Sequence, residues 1–412
     1  MELIGTVVIY IIMACAVAGA FAYIRDPEGG LGKEFREGLH SIGPIFIPVA
    51  GIMAAIPYLS QMISGGVGPL FALIGADPSI AATTIIAIDM GGYQLAEVLA
   101  ETREAWLMAS LVGYMAGATI IFSIPVGLAM LDKRDHKYMA LGIMSGILSV
   151  PIGVFIAAAI IAVFGVAIRP DIAATGDATL QLALSFADIL RNLLPLIIFC
   201  VAIALGLRLA PDAMITGFLW FGKLMYAAIT LVLVFSIVEY FTGIFTATFG
   251  GWGFDPIIAD EADQFRALEI AGYIGIMLAG AFPMVYLITR YLARPMQVFG
   301  DKVGLSPVGA AGLLATIANV LAMYRLVRLM RARDKVLVIA FAVCAAFAFG
   351  DHLAFTANFQ PSLILPLLIG KIGGGAVGFA IAIWLSVPKA IELEAQEGPD
   401  PVANPEGIAP AT

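Results

Sequence analysis

The sequence predicts an all-α integral membrane protein with about nine transmembrane helices and two re-entrant or broken segments. Three observations support this prediction. Of the 412 residues, 61% are hydrophobic and only 13% are charged, whereas a soluble domain carries about a quarter charged residues. Apolar runs of about 20 residues, the length that crosses a bilayer, recur along the chain. Two further apolar stretches, Gly66–Val98 and Pro307–Met323, are interrupted by Gly and Pro.

Each of the nine predicted spans is a long apolar run that few charges interrupt. The first follows Glu2 rather than a basic segment, which favours a span over the alternative of a cleaved signal peptide. The nine runs are Leu3–Ile24, Ile42–Ser64, Trp106–Leu131, Tyr138–Phe164, Leu180–Leu207, Ala213–Ile244, Leu268–Leu292, Val336–Phe359 and Pro361–Val387.

The distribution of Lys and Arg predicts the orientation, because cytoplasmic loops carry an excess of both. Sixteen of the 22 basic residues fall on one side of the predicted spans. The other side receives Arg103, Arg169 and Arg266, in loops rich in Asp and Glu. We therefore expect the N-terminus outside and the C-terminus in the cytoplasm. The sixteen are Arg25, Lys33, Arg36, Lys133, Arg134, Lys137, Arg208, Arg290, Arg294, Lys302, Arg325, Arg328, Arg331, Arg333, Lys335 and Lys389.

With this orientation, each interrupted stretch begins and ends on the same side, one outside and one inside. The stretches also resemble each other, since Gly75-Ala-Asp-Pro-Ser in the first matches Gly304-Leu-Ser-Pro-Val in the second. We therefore predict one transporter domain, 1–388, with two inverted repeats, about 42–165 and 268–388. Such repeats place a substrate site near the membrane midplane. The acidic, Pro-rich tail 389–412 is predicted to be disordered.

Four polar residues in apolar surroundings are the candidate substrate-binding residues: Asp89, Asn319, Asp351 and His352. A charge at the bilayer centre costs at least about 2.5 kcal/mol, so its presence needs a reason. A carboxylate beside an imidazole can bind a cation or relay a proton. The alternative for all four is that they satisfy backbone groups at helix breaks.

Four further residues are candidate supporting residues: Lys371, Tyr93, Phe355 and Ser123. Lys371 lies among glycines and could pair with Asp89 or Asp351. Aromatic rings can hold an ammonium ion, although contacts with lipid are commoner. An intramembrane Ser more often bonds its own helix than a substrate.

Composition also excludes several functions. The net charge of −8 leaves no basic face for nucleic acid. The cysteines Cys15, Cys200 and Cys344 lie in apolar runs, with no Cys or His at metal-binding spacing, so we predict no metal and no cofactor. The predicted partners are a small-molecule substrate and the lipid bilayer, and a homo-oligomer stays open.

Six runs, in order along most of the chain, resemble the ethanolamine-utilisation permease family. That resemblance implies a bacterial inner-membrane protein that imports ethanolamine, and not an enzyme. The runs are Gly75-Ala-Asp-Pro-Ser-Ile, Asp89-Met-Gly-Gly, Phe122-Ser-Ile-Pro-Val, Leu141-Gly with Val150-Pro-Ile-Gly, Ala315-Thr-Ile-Ala-Asn and Ala346-Phe-Ala-Phe-Gly-Asp-His-Leu.

The chain departs from the family pattern beside the candidate site. Val320 and Ala322 stand where the family has Asn and Pro, and Ala354 stands where it tends to have Gly. Three alternatives therefore stay open. They are a permease for another small amine or amino acid, an intramembrane enzyme that uses Asp351 and His352, and a channel.

Overall fold

The computed structural model describes residues 2–397 and confirms the all-α prediction. These residues form no strand, and Ile168 and Leu180 form an isolated β-bridge between two loops. The helices are α1 Glu2–Arg25, α2 Gly30–His40, α3 Ile42–Ala54, α4 Ile56–Gly65, α5 Gly68–Leu73, α6 Ser79–Ile85, α7 Gly92–Leu99, α8 Arg103–Val112, α9 Ile124–Met130, α10 His136–Ile147, α11 Val150–Phe164, α12 Phe186–Leu209, α13 Pro211–Thr242, α14 Ile244–Phe249, α15 Ala267–Val303, α16 Pro307–Ala318, α17 Val320–Val327, α18 Ala332–Ala345, α19 Asp351–Phe359, α20 Ile364–Leu385 and α21 Val387–Glu397.

The protein is a multi-pass membrane protein, since eight stretches of helix in the described part of the chain are long and apolar enough to cross a bilayer. Several of them present large apolar side chains at the surface, as lipid contact requires; Trp220 on α13 is 69% exposed. The eight are Glu2–Arg25, Gly30–Ala54, Arg103–Met130, Lys133–Phe164, Phe186–Leu209, Pro211–Thr242, Ala267–Val303 and Pro361–Leu385.

The ninth predicted span, Val336–Phe359, is not continuous. It divides into α18 and α19, and residues 346–350 between them leave the helix. The backbone N–H groups of Phe347 and Phe349 donate to the carbonyls of Thr316 and Ile317, at 3.3 and 2.8 Å. Because these bonds replace helical ones, the break does not leave backbone groups unpaired inside the bundle.

The other predicted spans also differ in their bounds: the second ends at Ala54 instead of Ser64, and the seventh continues to Val303 instead of Leu292. Two changes at the start of a span have a clear structural cause. The second begins at Gly30 instead of Ile42, because the charged helix α2 continues into α3 and packs against α15. The fifth begins at Phe186 instead of Leu180, where the hydroxyl of Ser185 accepts a hydrogen bond from the backbone of Asp188 and caps α12. A helix with several charged residues, such as α2, has too low a hydropathy to be recognised as part of a span from the sequence.

Both interrupted stretches fold as pairs of short helices that double back. In the first, α6 and α7 are joined by a 3₁₀ turn, Ile88–Met90; in the second, α16 and α17 meet at Asn319. Each pair starts beside a carboxylate that accepts from the backbone. Ser79 donates to Asp77 at 2.8 Å, and Ser306 donates to Asp334 at 3.1 Å. Both pairs fit re-entrant elements, whereas the inverted repeats stay a prediction.

The two predicted repeats touch closely where α11 crosses α20. A Cβ atom at Gly153 would lie 3.0 Å from the carbonyl oxygen of Gly370 and 3.3 Å from the Cα atom of Gly374. Only small residues allow two helix backbones to approach so closely in a membrane. The glycines in these two spans are therefore packing residues.

Loop contacts mark two opposite ends of the bundle, whereas the orientation in the membrane stays a prediction. Arg103 lies 3.6 Å from Asp171 on one face, and Ala332 donates to Glu394 on the other. The span Arg103–Met130 runs from the first face to the second. We call these the acidic face and the basic face.

The predicted disordered tail, 389–412, is helical at its start. Helix α21 extends to Glu397 because it packs against α18 with Val387 and Ala390 buried. Residues 398–412 lie outside the described part of the chain.

Candidate functional site

A cavity of about 390 Å³ lies where the broken elements meet inside the bundle. All four candidate binding residues, Asp89, Asn319, Asp351 and His352, line it. They come from the turn between α6 and α7, from the junction of α16 and α17, and from the first turn of α19. The fold therefore brings together polar residues that lie up to 263 positions apart in the sequence.

Asp89 lies in the 3₁₀ turn between α6 and α7. The turn ends at Gly91, whose φ of 92° is a left-handed conformation that favours glycine. Helix α7 then begins without a side-chain cap, so the carboxylate does not serve as the helix cap of the alternative interpretation. The Asp89 side chain keeps 15% of its surface exposed to the cavity.

His352 faces Asp89 instead of pairing with its neighbour Asp351. Its Nε2 atom lies 3.8 Å from Oδ1 of Asp89. The ring contacts Tyr114 and Phe347, with centroids 5.2 and 5.5 Å apart. Its Nδ1 atom is buried and has no hydrogen-bond partner within residues 2–397. An unpaired buried polar atom costs about 1–3 kcal/mol, which a functional site can tolerate.

Asn319 has two roles that its amide can fill at once. Its Oδ1 atom accepts a hydrogen bond from the backbone of Leu321 at 2.8 Å and caps α17. Its Nδ2 group makes no hydrogen bond to the described part of the chain and is left to donate. The capping alternative is therefore correct for the oxygen, and the nitrogen is free for a ligand.

The supporting residues do not line the cavity. Tyr93 and Phe355 pack edge to face behind it, with centroids 5.4 Å apart. Ser123 donates to the carbonyl of Ala118 on its own helix, as intramembrane serines commonly do. These three residues belong to the layer that surrounds the cavity.

Lys371 also lies behind the cavity and holds a distorted helix in place. Its Nζ atom donates to the carbonyl of Tyr114 at 2.7 Å, and no ion pair joins it to a described carboxylate. Tyr114 lies in the first turn of a π-helix, Gly113–Ser123, in the span that contains α8 and α9. π-Helical turns often mark functional sites, and this one supplies Phe122 to the cavity wall.

Sequence reasoning missed the π-helix and the conformation of Phe347. Phe347 has a φ of 62°, which is strained for a residue with a side chain. Its ring packs edge to face against Phe122 and forms part of the wall. A glycine would have given a sequence signal for such a turn, but a phenylalanine gives none.

The rim of the cavity was also missed, because it belongs to a helix that the sequence placed outside the membrane spans. Glu37 and His40 of α2 line the cavity, and His40 is exposed. Their presence extends the polar surface from the cavity towards solvent.

The four candidate residues supply two carboxylates, one amide and one imidazole, which form a small polar site in an apolar wall. The carboxylates suit a cation, and the free amide N–H suits an oxygen acceptor on the same ligand. The aromatic rings of Phe122 and Phe347 suit an ammonium group. The site can therefore hold a small cation that carries a hydroxyl.

Comparison with known proteins places the chain in a family. The family model described as "Ethanolamine utilisation protein, EutH" matches residues 4–385. No solved structure matches.

Three relatives span nearly the whole chain. One from Listeria monocytogenes, named probable ethanolamine permease EutH, is 36% identical over 93% of this chain and 94% of its own. A protein of the same name from Escherichia coli is 37% identical over 94% and 96%. Protein YxeR of Bacillus subtilis, named uncharacterized, is 34% identical over 93% and 95%. The match extends from the first helix to the last span, and the chain belongs to the EutH family.

Proposed function

We propose that this protein is a permease that imports ethanolamine across the bacterial inner membrane. The observation that carries the proposal is the cavity at which both broken helix pairs meet. It places Asp89, Asn319, Asp351 and His352 around one space inside an apolar bundle. The names of the Listeria and Escherichia relatives support the substrate.

The chemistry of ethanolamine matches the groups in the cavity. At neutral pH the molecule is mostly an ammonium ion with a hydroxyl two carbons away. Asp89 and Asp351 supply negative charge, and the free Nδ2 group of Asn319 donates to the hydroxyl oxygen. A cavity of about 390 Å³ exceeds one ethanolamine molecule, so water, at about 30 Å³ each, accompanies it.

Alternating access requires a surface on which one half of the protein moves against the other. The crossing of α11 and α20 at Gly153 and Gly370 is such a surface, since it carries few interlocking side chains. Movement there would shift the two broken helix pairs relative to each other. The orientation follows from the basic face, which we place in the cytoplasm. The carrier would then take ethanolamine from the acidic face.

Uptake of radiolabelled ethanolamine by purified protein in liposomes tests the proposal. A permease gives saturable accumulation of unchanged substrate, a channel gives uptake that does not saturate, and an enzyme gives a product. Excess unlabelled choline, alanine or ammonium measures specificity. No uptake of ethanolamine, with one of the competitors carried instead, would show that the substrate is another small amine or amino acid.

A further inference from the structure

A second cavity, of about 370 Å³, opens at the acidic face. It lies between α7, the end of α3 and the loops that precede α12 and α15. Its lining includes Gln94 from α7 and several charged side chains from these loops. It is separate from the cavity that holds Asp89, because the two share no lining residue.

Negative charge exceeds positive charge in this cavity. Glu97 and Asp171 share Arg103, at 2.7 and 3.6 Å, and Asp263 pairs with Arg266 at 3.5 Å. Asp255 also lines the cavity and has no ion-pair partner in the part of the chain that the structure describes.

The surroundings of Asp255 disfavour its negative charge. Burial raises the pKa of Asp255, Arg266 opposes this effect, and the carboxylates of Asp263 and Asp260 raise the pKa further. A positively charged ligand beside Asp255 would favour its ionised form. An acidic loop cluster is most often only a solvated surface, so the charges need a second observation.

Gln94 provides that observation. Its side chain is only 7% exposed and lines the cavity, yet neither Nε2 nor Oε1 has a hydrogen-bond partner among the described residues. A buried amide has two donors and an acceptor to satisfy, and leaving them unpaired is costly. The amide is therefore positioned for a ligand that both donates and accepts.

Helix α3 connects the second cavity with the turn that carries Asp89. Met53 lines the second cavity and lies beside Gly91. Gly91 follows Asp89 of the first cavity by two residues. A Cβ atom at Gly91 would lie 2.9 Å from Ile52 and 3.1 Å from Met53. Ile52 and Met53 therefore pack tightly against the turn that carries Asp89.

We propose that the second cavity is an outer binding site that captures the substrate before it reaches Asp89. The ligand class is a small primary ammonium ion with a hydroxyl. The ammonium group would bind Asp255, and the hydroxyl would donate to and accept from Gln94. This inference rests on the proposed function, since it assigns the same substrate to a second position.

The test is equilibrium binding of radiolabelled ethanolamine to the purified full-length protein in detergent. Two molecules per chain are expected for the wild type. One is expected for Asp255→Asn and for Gln94→Leu, which would keep the inner site, and one for Asp89→Asn, which would keep the outer site. Glu261→Gln is the matched control, because Glu261 is an exposed carboxylate of the same loop that does not line the cavity. It should bind two molecules.

Uptake adds a second measurement. Asp255→Asn should raise the half-saturation concentration by about tenfold or more, the effect of losing one charge-assisted hydrogen bond. The maximal rate should stay within about twofold of the wild type. The Gln94→Leu variant should unfold at the wild-type temperature or above, since it removes an amide without partners. A loss of binding in that variant is then not a loss of fold.

The outcomes separate the two proposals. One molecule per chain in the wild type, unchanged in Asp255→Asn and Gln94→Leu, would overturn the outer site and leave the permease intact. Binding of no ethanolamine by the wild type would overturn the proposed function, and the outer site with it. Loss of one of two molecules in both outer-site variants, but not in Glu261→Gln, establishes the outer site.

Discussion

Gly350 lies so close to Ala318 that a Cβ atom at position 350 would be 2.3 Å from the carbonyl oxygen of Ala318. The two residues belong to the two breaks of the second half of the chain, between α18 and α19 and between α16 and α17. Both breaks border the cavity, so their contact sets the positions of Asn319, Asp351 and His352.

We therefore expect Gly350→Ala to impair both stability and uptake. An extra methyl group with no space costs about 1–3 kcal/mol when the neighbours must move, and here the neighbour is backbone. Thermal unfolding in detergent and liposome uptake are the measurements. Gly217→Ala is the control, since no atom lies within 4 Å of its Cβ position on α13. Equal unfolding temperatures and equal uptake for the two variants would contradict a tight contact between Gly350 and Ala318.

Asp89→Asn should abolish saturable uptake while the protein stays folded. The substitution keeps the shape of the side chain and removes its charge. The loss of a charge-assisted hydrogen bond is worth about 1.5–3 kcal/mol, or roughly a 10- to 150-fold loss of affinity. Uptake kinetics and size-exclusion chromatography measure the two properties. The same measurements on Asp351→Asn show how much each of the two carboxylates contributes to binding the ammonium group. Wild-type kinetics in Asp89→Asn would assign the ammonium group to another residue.

Uptake should depend on pH through His352. Asp89 faces its ring at 3.8 Å, and Tyr114 packs against it. A protonated imidazole balances the charge of Asp89 and competes with a bound ammonium ion. Acid should therefore weaken apparent affinity, which should rise with pH and then level off.

The His352→Gln variant keeps hydrogen bonding and removes the titration. Half-saturation concentrations of the wild type and the variant, measured from neutral pH down through the acidic range, should diverge at the acidic end. Superimposed profiles would mean that His352 does not sense the proton, and that it only completes the packing around the break.

Lys335 and Asp135 form a buried ion pair at the basic face, with side chains 2 and 3% exposed and 2.6 Å between Nζ and Oδ1. Removing one partner weakens the compensation of the remaining buried charge, which costs up to about 3–5 kcal/mol. We expect Asp135→Asn and Lys335→Met each to lower the unfolding temperature strongly.

The exposed pair of Lys389 and Glu392, with side chains 50 and 52% exposed, is the control. A surface pair contributes about 0–1 kcal/mol, so Glu392→Gln should leave the unfolding temperature nearly unchanged. The double variant of Asp135→Leu and Lys335→Met should recover part of the loss, because an apolar pair leaves no buried charge. Equal effects for the buried and exposed pairs would show that the buried pair is hydrated in solution.

Glu101→Cys and Arg331→Cys should react with a membrane-impermeant thiol reagent from opposite sides. Glu101 is exposed on the acidic face, and Arg331 lies on the basic face with 52% of its side chain exposed. In intact cells only Glu101→Cys should be labelled, and Arg331→Cys should react after the membrane is permeabilised. The unsubstituted protein controls for its own three cysteines. Labelling of Arg331→Cys alone in intact cells would invert the orientation.

The sequence determined the class of the protein and four of the polar residues that line the cavity. Apolar length and the bias of Lys and Arg are properties of short segments, so they can be seen without a structure. An isolated Asp89 or His352 in an apolar run is also visible locally, because its burial cost demands a partner. The family resemblance, carried by short runs in collinear order, was confirmed.

The tertiary structure decided where helices break and which groups face each other. The break after α18 exists because the backbone N–H groups of Phe347 and Phe349 donate to carbonyls of α16. The local sequence at these two residues does not indicate partners so far away in the chain. His352 faces Asp89 and not its sequence neighbour, since α19 turns it towards the other broken pair. Gln94 and Asp255 can be recognised as candidate ligand-binding residues only from the structure, in which α7 and a distant loop line one cavity. Hydropathy reports how a segment meets lipid, whereas the alignment of polar groups depends on contacts between segments far apart in the chain.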